Sequence, residues 1–379
     1  MWRWMMAATL LLAGCGGGTS GGGTQGSADI GHGVPVTLPA ASVCSAGEAY
    51  RPLTKACVPV RHTDWGFVDF TLPQRRLTLD RCSESALQDL LEEARSQGGA
   101  VITLPACRLV LHDTIALYDN TLLEGAGTGE TILEAAHDND ILSLRGHNIV
   151  VRGIGLDGKD RALGGIVGTN NRGNILIEAC EIKNLRGSGI YLDTAAPQAD
   201  TQITLRLNRI SHTLHGINVK TLASAKMLIL SNDLYENREY GIDMSTTSDI
   251  EVTANYLHDN HYAGAKSPLA DAIWYRYNDV RYNGRDANPE DRAGIVYMGT
   301  NADARIYLEY NDLSRNGGLA FATWSGHFAY LLLRENIVTG SQDTNGYNIR
   351  ATGVGTIDVY GDHGNIWVGE GNEGRIHYH

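Results

Sequence analysis

Five side chains that can carry acid–base chemistry stand near one another in the middle of this 379-residue sequence. They are His215, Lys220, Tyr240, Asp243 and Lys266. Removing a proton next to a carboxylate requires a cation to neutralise that carboxylate, a base and a proton donor. Lys220 and Lys266 could supply the positive charge, and His215 or Tyr240 could transfer the proton. Asp243 could orient one of them, act as the base or bind a metal ion.

These candidates fall into register when the chain is aligned on four glycines, Gly189, Gly216, Gly241 and Gly264. Two residues after each glycine stand Tyr191, Asn218, Asp243 and Lys266, and four residues after each stand Asp193, Lys220, Ser245 and Pro268. In stacked parallel coils, neighbours in a column lie about 4.8 Å apart. These eight residues, here called the outer strip, could therefore follow an extended sugar chain. We predict its substrate-binding members to be Tyr191, Asp193, Asn218 and Ser245.

Two other interpretations of the outer strip stay open at this level. Asp193, Asn218 and Asp243 could together bind calcium, which prefers oxygen ligands. Alternatively, the strip is polar only because it faces water, and His215 is an ordinary surface histidine. A separate outward column alternates in charge and predicts a solvated face. Its members are Glu178, Arg206, Arg276, Glu309 and Arg334.

A repeated asparagine indicates the element that must position these residues. It recurs at Asn208, Asn232, Asn255, Asn278, Asn311 and Asn336, with spacings of 24, 23, 23, 33 and 25 residues. Apolar residues stand five and three positions before each asparagine, a period of two that predicts a strand with one face inward. Self-similarity at this period predicts the coils of an all-β solenoid, a parallel β-helix.

The asparagines themselves are predicted to be structural. Asparagine tolerates bent backbone at a corner, and stacking would place each amide above the last. Cys180 occupies the same position in the preceding coil and is predicted to be a buried thiol. The longest spacing contains the insertion Asn283–Arg292, which could wall the outer strip or form a solvated loop.

The N-terminal segment predicts export and attachment to a membrane. Residues 1–14 contain a short apolar run that is too short to span a bilayer and is typical of a signal peptide. Leu12 to Cys15 resembles the bacterial lipobox, which implies a lipid on Cys15, followed by a flexible glycine-rich tether over residues 15–40. The alternative is an ordinary signal peptide with a chance cysteine. We therefore expect the bacterial cell envelope as the location.

Four further cysteines predict disulfides, since an exported protein meets an oxidising compartment. Cys44 and Cys57 enclose a loop in a small N-terminal segment, residues 41–76, and Cys82 and Cys107 flank the next unit. None of the spacings is typical of a zinc site.

An amphipathic helix is predicted between Cys82 and Cys107. Ser85 and Gln88 would form its capping pair, and Gly98-Gly99 would end it. Such a helix would close the open end of the solenoid, which occupies residues 77–379.

The net charge of −12 argues against nucleic acid as a partner and leaves the lipid anchor as the predicted route to a membrane.

Residues 100–105, 121–129 and 154–158 resemble the opening of pectate-lyase-like proteins. That family includes polysaccharide lyases, glycoside hydrolases and alginate epimerases, and the resemblance implies a right-handed winding and a polysaccharide partner. Tyr240 to Ser245 is similar to the Tyr-Gly-Ile/Phe-Asp-Pro-His motif of alginate epimerases, with Met244 and Ser245 in place of Pro and His. By this resemblance Tyr240 and Asp243 match catalytic positions.

The resemblance implies a lyase or epimerase acting on a uronate-containing polysaccharide such as alginate or pectate, with no certain cofactor beyond the calcium named above. The alternative is a β-helix lipoprotein that binds glycans or contributes to the cell envelope without catalysis. A fold of this kind does not by itself decide between them.

Overall fold

The computed structural model describes residues 32–33, 36–39, 43–65, 73–169, 173–193, 201–220, 225–245, 249–267, 271–285, 292–299, 301–324, 328–369 and 375–379. The predicted signal peptide, Cys15 and most of the predicted tether lie outside these residues. Among the described residues, no helix is long and apolar enough to cross a membrane.

Three parallel sheets wind into one solenoid, as predicted. Sheet 1 contains Arg76–Thr78, Ala100–Thr103, Thr121–Glu124, Ile149–Arg152, Ile175–Glu178, Gln202–Arg206, Lys226–Leu230, Asp249–Thr253, Ala272–Arg276, Arg305–Glu309, Phe328–Arg334, Val354–Tyr360 and Ile376–Tyr378. Sheet 2 contains Cys107–Leu111, Thr131–Ala135, Gly155–Asp157, Glu181–Lys183, Arg209–Ser211, Asp233–Tyr235, Tyr256–His258 and Asp279–Arg281. Sheet 3 contains Ile115–Leu117, Leu142–Leu144, Ile166–Thr169, Ile190–Asp193, Ile217–Lys220, Ile242–Ser245, Ala265–Lys266, Ala293–Tyr297, Leu319–Thr323, Ile349–Arg350 and Ile366–Trp367.

The apolar residues predicted to face inward do so. Ile203 pairs with Met227, and Met227 with Ile250, so that equivalent positions of successive coils stack directly above one another. All three side chains are at most 1% exposed and belong to one continuous core inside the coils. The inward face therefore holds the register, and the outward face is free to carry other side chains.

The predicted asparagine ladder is confirmed. Asn232 is fully buried, its side-chain amide donates to the carbonyl of Leu205 at 2.9 Å, and the carboxamide oxygen of Asn255 accepts from its backbone N–H at 2.9 Å. The expectation that asparagine itself adopts the bent backbone is wrong. The left-handed residue is the one before it, as at Ser231 with φ +59° and Ala254 with φ +61°. The amide ladder thus holds the preceding residue in a left-handed backbone conformation, which residues other than glycine rarely adopt.

A second ladder, not predicted, runs five residues after the first. It consists of Thr213, Asn237, Asn260, Asn283, Asn316 and Ser341. Asn260, for example, donates from its side-chain amide to the oxygen of Asn283 at 2.9 Å. Asn283 is fully buried, so the insertion begins after it and not at it. Residues 286–291 of that insertion lie outside the described part.

The capping helix spans Glu84–Ser96 and packs on the first coils. The predicted capping pair is wrong by two residues, because Ser83 is the N-cap and accepts from the backbone N–H of Ala86 at 3.3 Å. Gly98 and Gly99 follow the helix with φ +79° and +125°, in agreement with their predicted role at its end.

Both predicted disulfides form, between Cys44 and Cys57 and between Cys82 and Cys107. Cys180 is a buried free thiol, and burial raises its pKa to about 12. Its backbone N–H donates to Asn208 at 3.1 Å, as the ladder position requires.

The N-terminal segment contains a hairpin, Glu48–Arg51 with Ala56–Pro59, and a short 3₁₀ helix, Thr63–Trp65. It covers part of the outer face of sheet 1. Trp65 packs there with Trp274, and Glu251, fully buried, accepts from the backbone of His62 at 2.8 Å. The segment therefore buries polar groups that would otherwise face water.

The column predicted as a solvated face is therefore corrected in part. Glu309 is only 2% exposed and lies between Arg276 and Arg334, each 3.2 Å from one of its oxygens. The alternation of charge builds a partly buried chain of ion pairs along the stacked coils.

Candidate functional site

The outer strip has the register predicted from the glycine alignment. Along sheet 3, Tyr191 pairs with Asn218, Asn218 with Asp243, and Asp243 with Lys266. In the second column Lys220 lies between Asp193 and Ser245. Pro268 lies outside the described residues.

Four of the five predicted catalytic residues meet at one point of the strip. The Lys266 ammonium donates to the hydroxyl of Tyr240 at 2.9 Å. The ring of His215 stacks on that of Tyr240 with centroids 5.7 Å apart. Its Nε2 lies 3.6 Å from Glu239 Oε2, a carboxylate that the sequence analysis missed, and 4.0 Å from Asp243 Oδ2. Because Tyr240 and His215 each precede a sheet 3 strand, the corners of two neighbouring coils bring them together.

His215 is not the surface histidine that one interpretation allowed, since it is 7% exposed. Burial lowers its pKa to about 4, with the positive charges of Lys220, Lys266 and Arg238 acting in the same direction. The imidazole is therefore neutral near pH 7 and can accept a proton. Its Nδ1 has no hydrogen-bond partner among the described residues. The positive charge of Lys220 contributes to the lowered pKa of His215.

The predicted substrate-binding residues lie beside this acid–base centre, and they differ in whether their polar groups have hydrogen-bond partners. The Tyr191 hydroxyl donates to Asp193 at 3.1 Å, and burial, followed by the Asp193 carboxylate, raises the pKa of Tyr191. Asn218 is 4% exposed, and its carbonyl oxygen is buried without a hydrogen-bond donor in the described structure. Ser245 is half-buried beside Lys220. An unsatisfied buried oxygen next to the acid–base centre indicates a place where a bound hydroxyl group would improve the hydrogen bonding.

The described residues do not fit the calcium interpretation. No group of three or more histidine, cysteine, aspartate or glutamate side chains among them is arranged to hold a metal ion. Asp193 already accepts from Tyr191, and Asp243 lies beside His215 and next in register to Lys266. A divalent cation would have to compete with that ammonium charge. We therefore derive no step through calcium.

The same outward column continues beyond Lys266 in residues that the sequence analysis missed. Lys266 pairs with Val296, Val296 with Ala322, and Ala322 with Arg350. Val296 and Ala322 are buried members of an apolar cluster that also includes Tyr240. Gly294 stands two residues before Val296, as the four aligned glycines stand before the other column residues, and could have extended the glycine alignment. The long insertion before Gly294 interrupts the spacing, so the alignment ended at Gly264.

Family and structural comparisons agree on the fold. The family model described as "Right handed beta helix region" matches residues 165–362, which is more than half of the chain and agrees with the winding implied by the sequence. No match was found among curated proteins.

Solved structures of similar fold include the A-module of mannuronan C-5 epimerase AlgE6 from Azotobacter vinelandii. It is 17% identical, with a TM-score of 0.44 and coverage of 82% of this chain and 98% of that chain. The catalytic unit of a GH87 α-1,3-glucanase from Streptomyces thermodiastaticus is 13% identical, with a TM-score of 0.45 and coverage of 81% and 69%. At these identities no residue role transfers to this chain.

Proposed function

The chain belongs to the family of right-handed β-helix regions, and from that premise we propose that its outer strip binds a uronate-containing polysaccharide and removes the proton beside a carboxylate. The observation that carries this proposal is the contact of Lys266 with Tyr240 at 2.9 Å, next to a neutral His215. A cation, a phenol and an unprotonated imidazole on one strip are the groups that such a reaction requires.

Tyr240 and Lys266 act together in this proposal. When a phenol gives up its proton, negative charge builds on its oxygen, and an ammonium group within hydrogen-bond distance stabilises that charge. Tyr240 therefore exchanges a proton with the sugar, and Lys266 supports either protonation state of the phenol through the hydrogen bond that it donates.

His215, Asp243 and Lys220 complete the site. The neutral imidazole takes up a proton, and the carboxylates of Glu239 at 3.6 Å and Asp243 at 4.0 Å stabilise the imidazolium that forms. Lys220, whose charge already acts on His215, neutralises the sugar carboxylate. Loss of the linking oxygen from the resulting intermediate gives elimination, and return of a proton to the opposite face gives epimerisation.

A glycan-binding module without catalysis is the second candidate function. The burial of Tyr240, 3% exposed, and of His215, 7% exposed, favours it, because a reacting sugar must reach these groups. Asp243 and Lys266 are more exposed and would still contact a bound chain.

One experiment separates the two candidates. Purified protein is mixed with alginate, pectate and glycosaminoglycans, near-ultraviolet absorbance is followed for the unsaturated product of elimination, and proton exchange at the sugar is followed by NMR in deuterated water. Either signal on a uronate polymer supports catalysis. Binding of a polymer with neither signal supports the binding module and contradicts the catalytic proposal.

The membrane attachment is a separate proposal that rests on the segment Leu12 to Cys15. We expect the bacterial host to incorporate labelled palmitate into the wild-type protein. The Cys15→Ser variant should lose that label and leave the membrane fraction, and persistence of the label would contradict lipid attachment at this residue.

A further inference from the structure

An arginine held between two tryptophans lies on the same outward column, towards the C-terminal end. The Arg350 guanidinium carbon lies 4.5 Å from the ring centre of Trp324 and 4.8 Å from that of Trp367. Arg350 pairs with Ala322 on one side and with Trp367 on the other, so this arrangement follows from the coil register. Stacking on both faces orders the side chain before any ligand arrives.

The charge of Arg350 is not neutralised within the described structure. No acidic side chain forms an ion pair with it there, and no hydrogen bond from its guanidinium to a described residue is formed. Most other outward-facing arginines of the coils differ in this respect, as Arg152 pairs with Glu124 and Arg206 with Glu178. Since both faces of the guanidinium are stacked, its N–H edge is the part left for an anion.

A cavity of about 330 Å³ lies beside this arginine. Its lining includes Arg292, Trp324, Asp343, Asn345 and Arg350. Asp343 is the one acidic group among these five residues, and one of its oxygens accepts from the backbone N–H groups of Asn345 and Tyr347 at 2.9 Å. Arg350 brings a positive charge without an acidic partner in the described structure, and Asp343, the carboxylate among these residues, is engaged in a turn. An indole wall suits the apolar face of a sugar ring.

The spacing links this cavity to the acid–base centre. Arg350 stands three coil steps from Lys266, through Val296 and Ala322. At about 4.8 Å per step the separation along the axis is about 14 Å. An oligosaccharide that passes over the apolar cluster burying Val296 and Ala322 can span this distance, whereas a single sugar cannot.

We infer that Trp324, Arg350 and Trp367 form a distal subsite that binds a carboxylate-bearing sugar of the same polysaccharide chain whose reacting unit lies at Asp243 and Lys266. This inference rests on the proposed function. The guanidinium edge binds the carboxylate, and the indole rings contact the sugar ring.

The test measures Kd by isothermal titration calorimetry, and KM and kcat where turnover is seen, on acidic oligosaccharides of increasing length and on a neutral glucan. For Arg350→Gln we expect Kd and KM for the long acidic chains to rise about 10- to 100-fold. The value of kcat, the binding of short acidic chains and the binding of the neutral glucan should stay as in the wild type. Arg350→Lys should fall between the two, because it keeps the charge and loses the planar fork.

The matched control is Arg95→Gln, which removes another guanidinium stacked on a ring, 4.4 Å from Tyr118 at the capping helix. Thermal unfolding of each variant shows that the fold is retained. If the wild type binds long acidic chains and Arg350→Gln behaves like Arg95→Gln, the distal subsite is wrong and the proposed function stands. Equal loss on the neutral glucan contradicts a carboxylate ligand. If the wild type binds no acidic chain at all, the proposed function and this inference fail together.

Discussion

Two buried histidines, two coils apart, differ in how directly carboxylates pair with them. His258, in sheet 2, is 1% exposed and has a carboxylate on each ring nitrogen, with Nε2 3.0 Å from Asp233 and Nδ1 2.7 Å from Asp259. His215, at the corner before sheet 3, has the carboxylates of Glu239 and Asp243 3.6 and 4.0 Å from Nε2. The charges of Lys220, Lys266 and Arg238 also act on it, and its Nδ1 has no hydrogen-bond partner among the described residues. The two sites contain the same ionisable group, and only its neighbours differ.

The neighbours reverse the effect of burial on one histidine and reinforce it on the other. Burial by itself would lower the pKa of His258, but the hydrogen bonds and charges of Asp233 and Asp259 outweigh it and raise the pKa. At His215, burial and the nearby cations act together and lower the pKa to about 4. A fully paired imidazolium stabilises the fold, whereas a neutral imidazole with an open nitrogen is available for chemistry.

The largest expected difference between the two regions is in turnover. Tyr240→Phe removes the hydroxyl that contacts Lys266, and we expect kcat to fall about 10²- to 10⁴-fold, the usual contribution of a positioned proton-transfer group. Steady-state kinetics on the uronate polymer that gives a product signal in the assay above measures the effect. Tyr256→Phe is the matched control, because Tyr256 stacks on His258 and should not affect turnover. Equal kcat values for the two variants would contradict the assignment of Tyr240.

The second difference is in stability. His258→Asn removes the imidazolium that lies between Asp233 and Asp259, while Arg209 and Arg285 stay next to these carboxylates. We expect the free energy of unfolding in urea to fall by about 1.5–3 kcal/mol. The folded variant should keep its kcat. His212→Asn is the control, since His212 is exposed, its partner Glu236 is exposed too, and its loss should cost less than about 1 kcal/mol. A small loss for His258→Asn would show that its ion pairs contribute little.

The third difference is in the response to acid. The folded pKa of His215, about 4, is below its ordinary value of 6.5, so the unfolded chain binds the proton more readily and stability falls as the pH drops from 6.5 towards 4. His215→Asn removes this loss, which amounts to about 2 kcal/mol at pH 5 and almost nothing at pH 7. Urea unfolding of both proteins at the two pH values measures it. Parallel losses in wild type and variant would disprove the shift.

His258 should respond with the opposite sign. Its pKa is raised in the folded protein, so its contribution to stability is present below 6.5 and is lost as the pH rises through the folded value. The His258→Asn variant should therefore show a smaller loss of stability relative to wild type at high pH than at pH 5.

The smallest expected effect concerns the cations around His215. Lys220→Met removes one of the charges that lower its pKa, and we expect that pKa to rise by about half a unit or less. An NMR titration of the imidazole proton shifts measures the change. Lys226→Met, in sheet 1, is the control and should leave the titration unchanged. No difference between the variants would mean that the charge of Lys220 does not contribute to the lowered pKa of His215.

Much of the architecture could be predicted from local patterns. The spacing from Asn208 to Asn336 and the apolar residues before each asparagine predicted the coil register, because every coil repeats the same local arrangement. The same period was sufficient to align Asn218, Asp243 and Lys266 on one strip. The alignment ended at the insertion, so it missed Val296 and Arg350.

Other features were missed because they depend on contacts between distant segments. Glu251 and Trp274 look exposed in the repeat pattern, but the N-terminal segment covers them, through His62 and Trp65. The second ladder was missed because Asn237 and Asn260 stand in turns, where asparagine is common for local reasons. Ser83 and Ser85 are both capping residues by type, and only the backbone at Ser83 selects between them.

The sequence by itself determined the solenoid, its disulfides and the column of candidate residues. In a chain that repeats, the spacing between equivalent residues fixes which of them stack in register on successive coils. Only the tertiary structure decided that His215 is neutral and His258 is paired. Each environment is built by groups from different coils, such as Lys266 for His215 and Asp233 for His258, and their electrostatic effect depends on burial and distance that no local pattern contains.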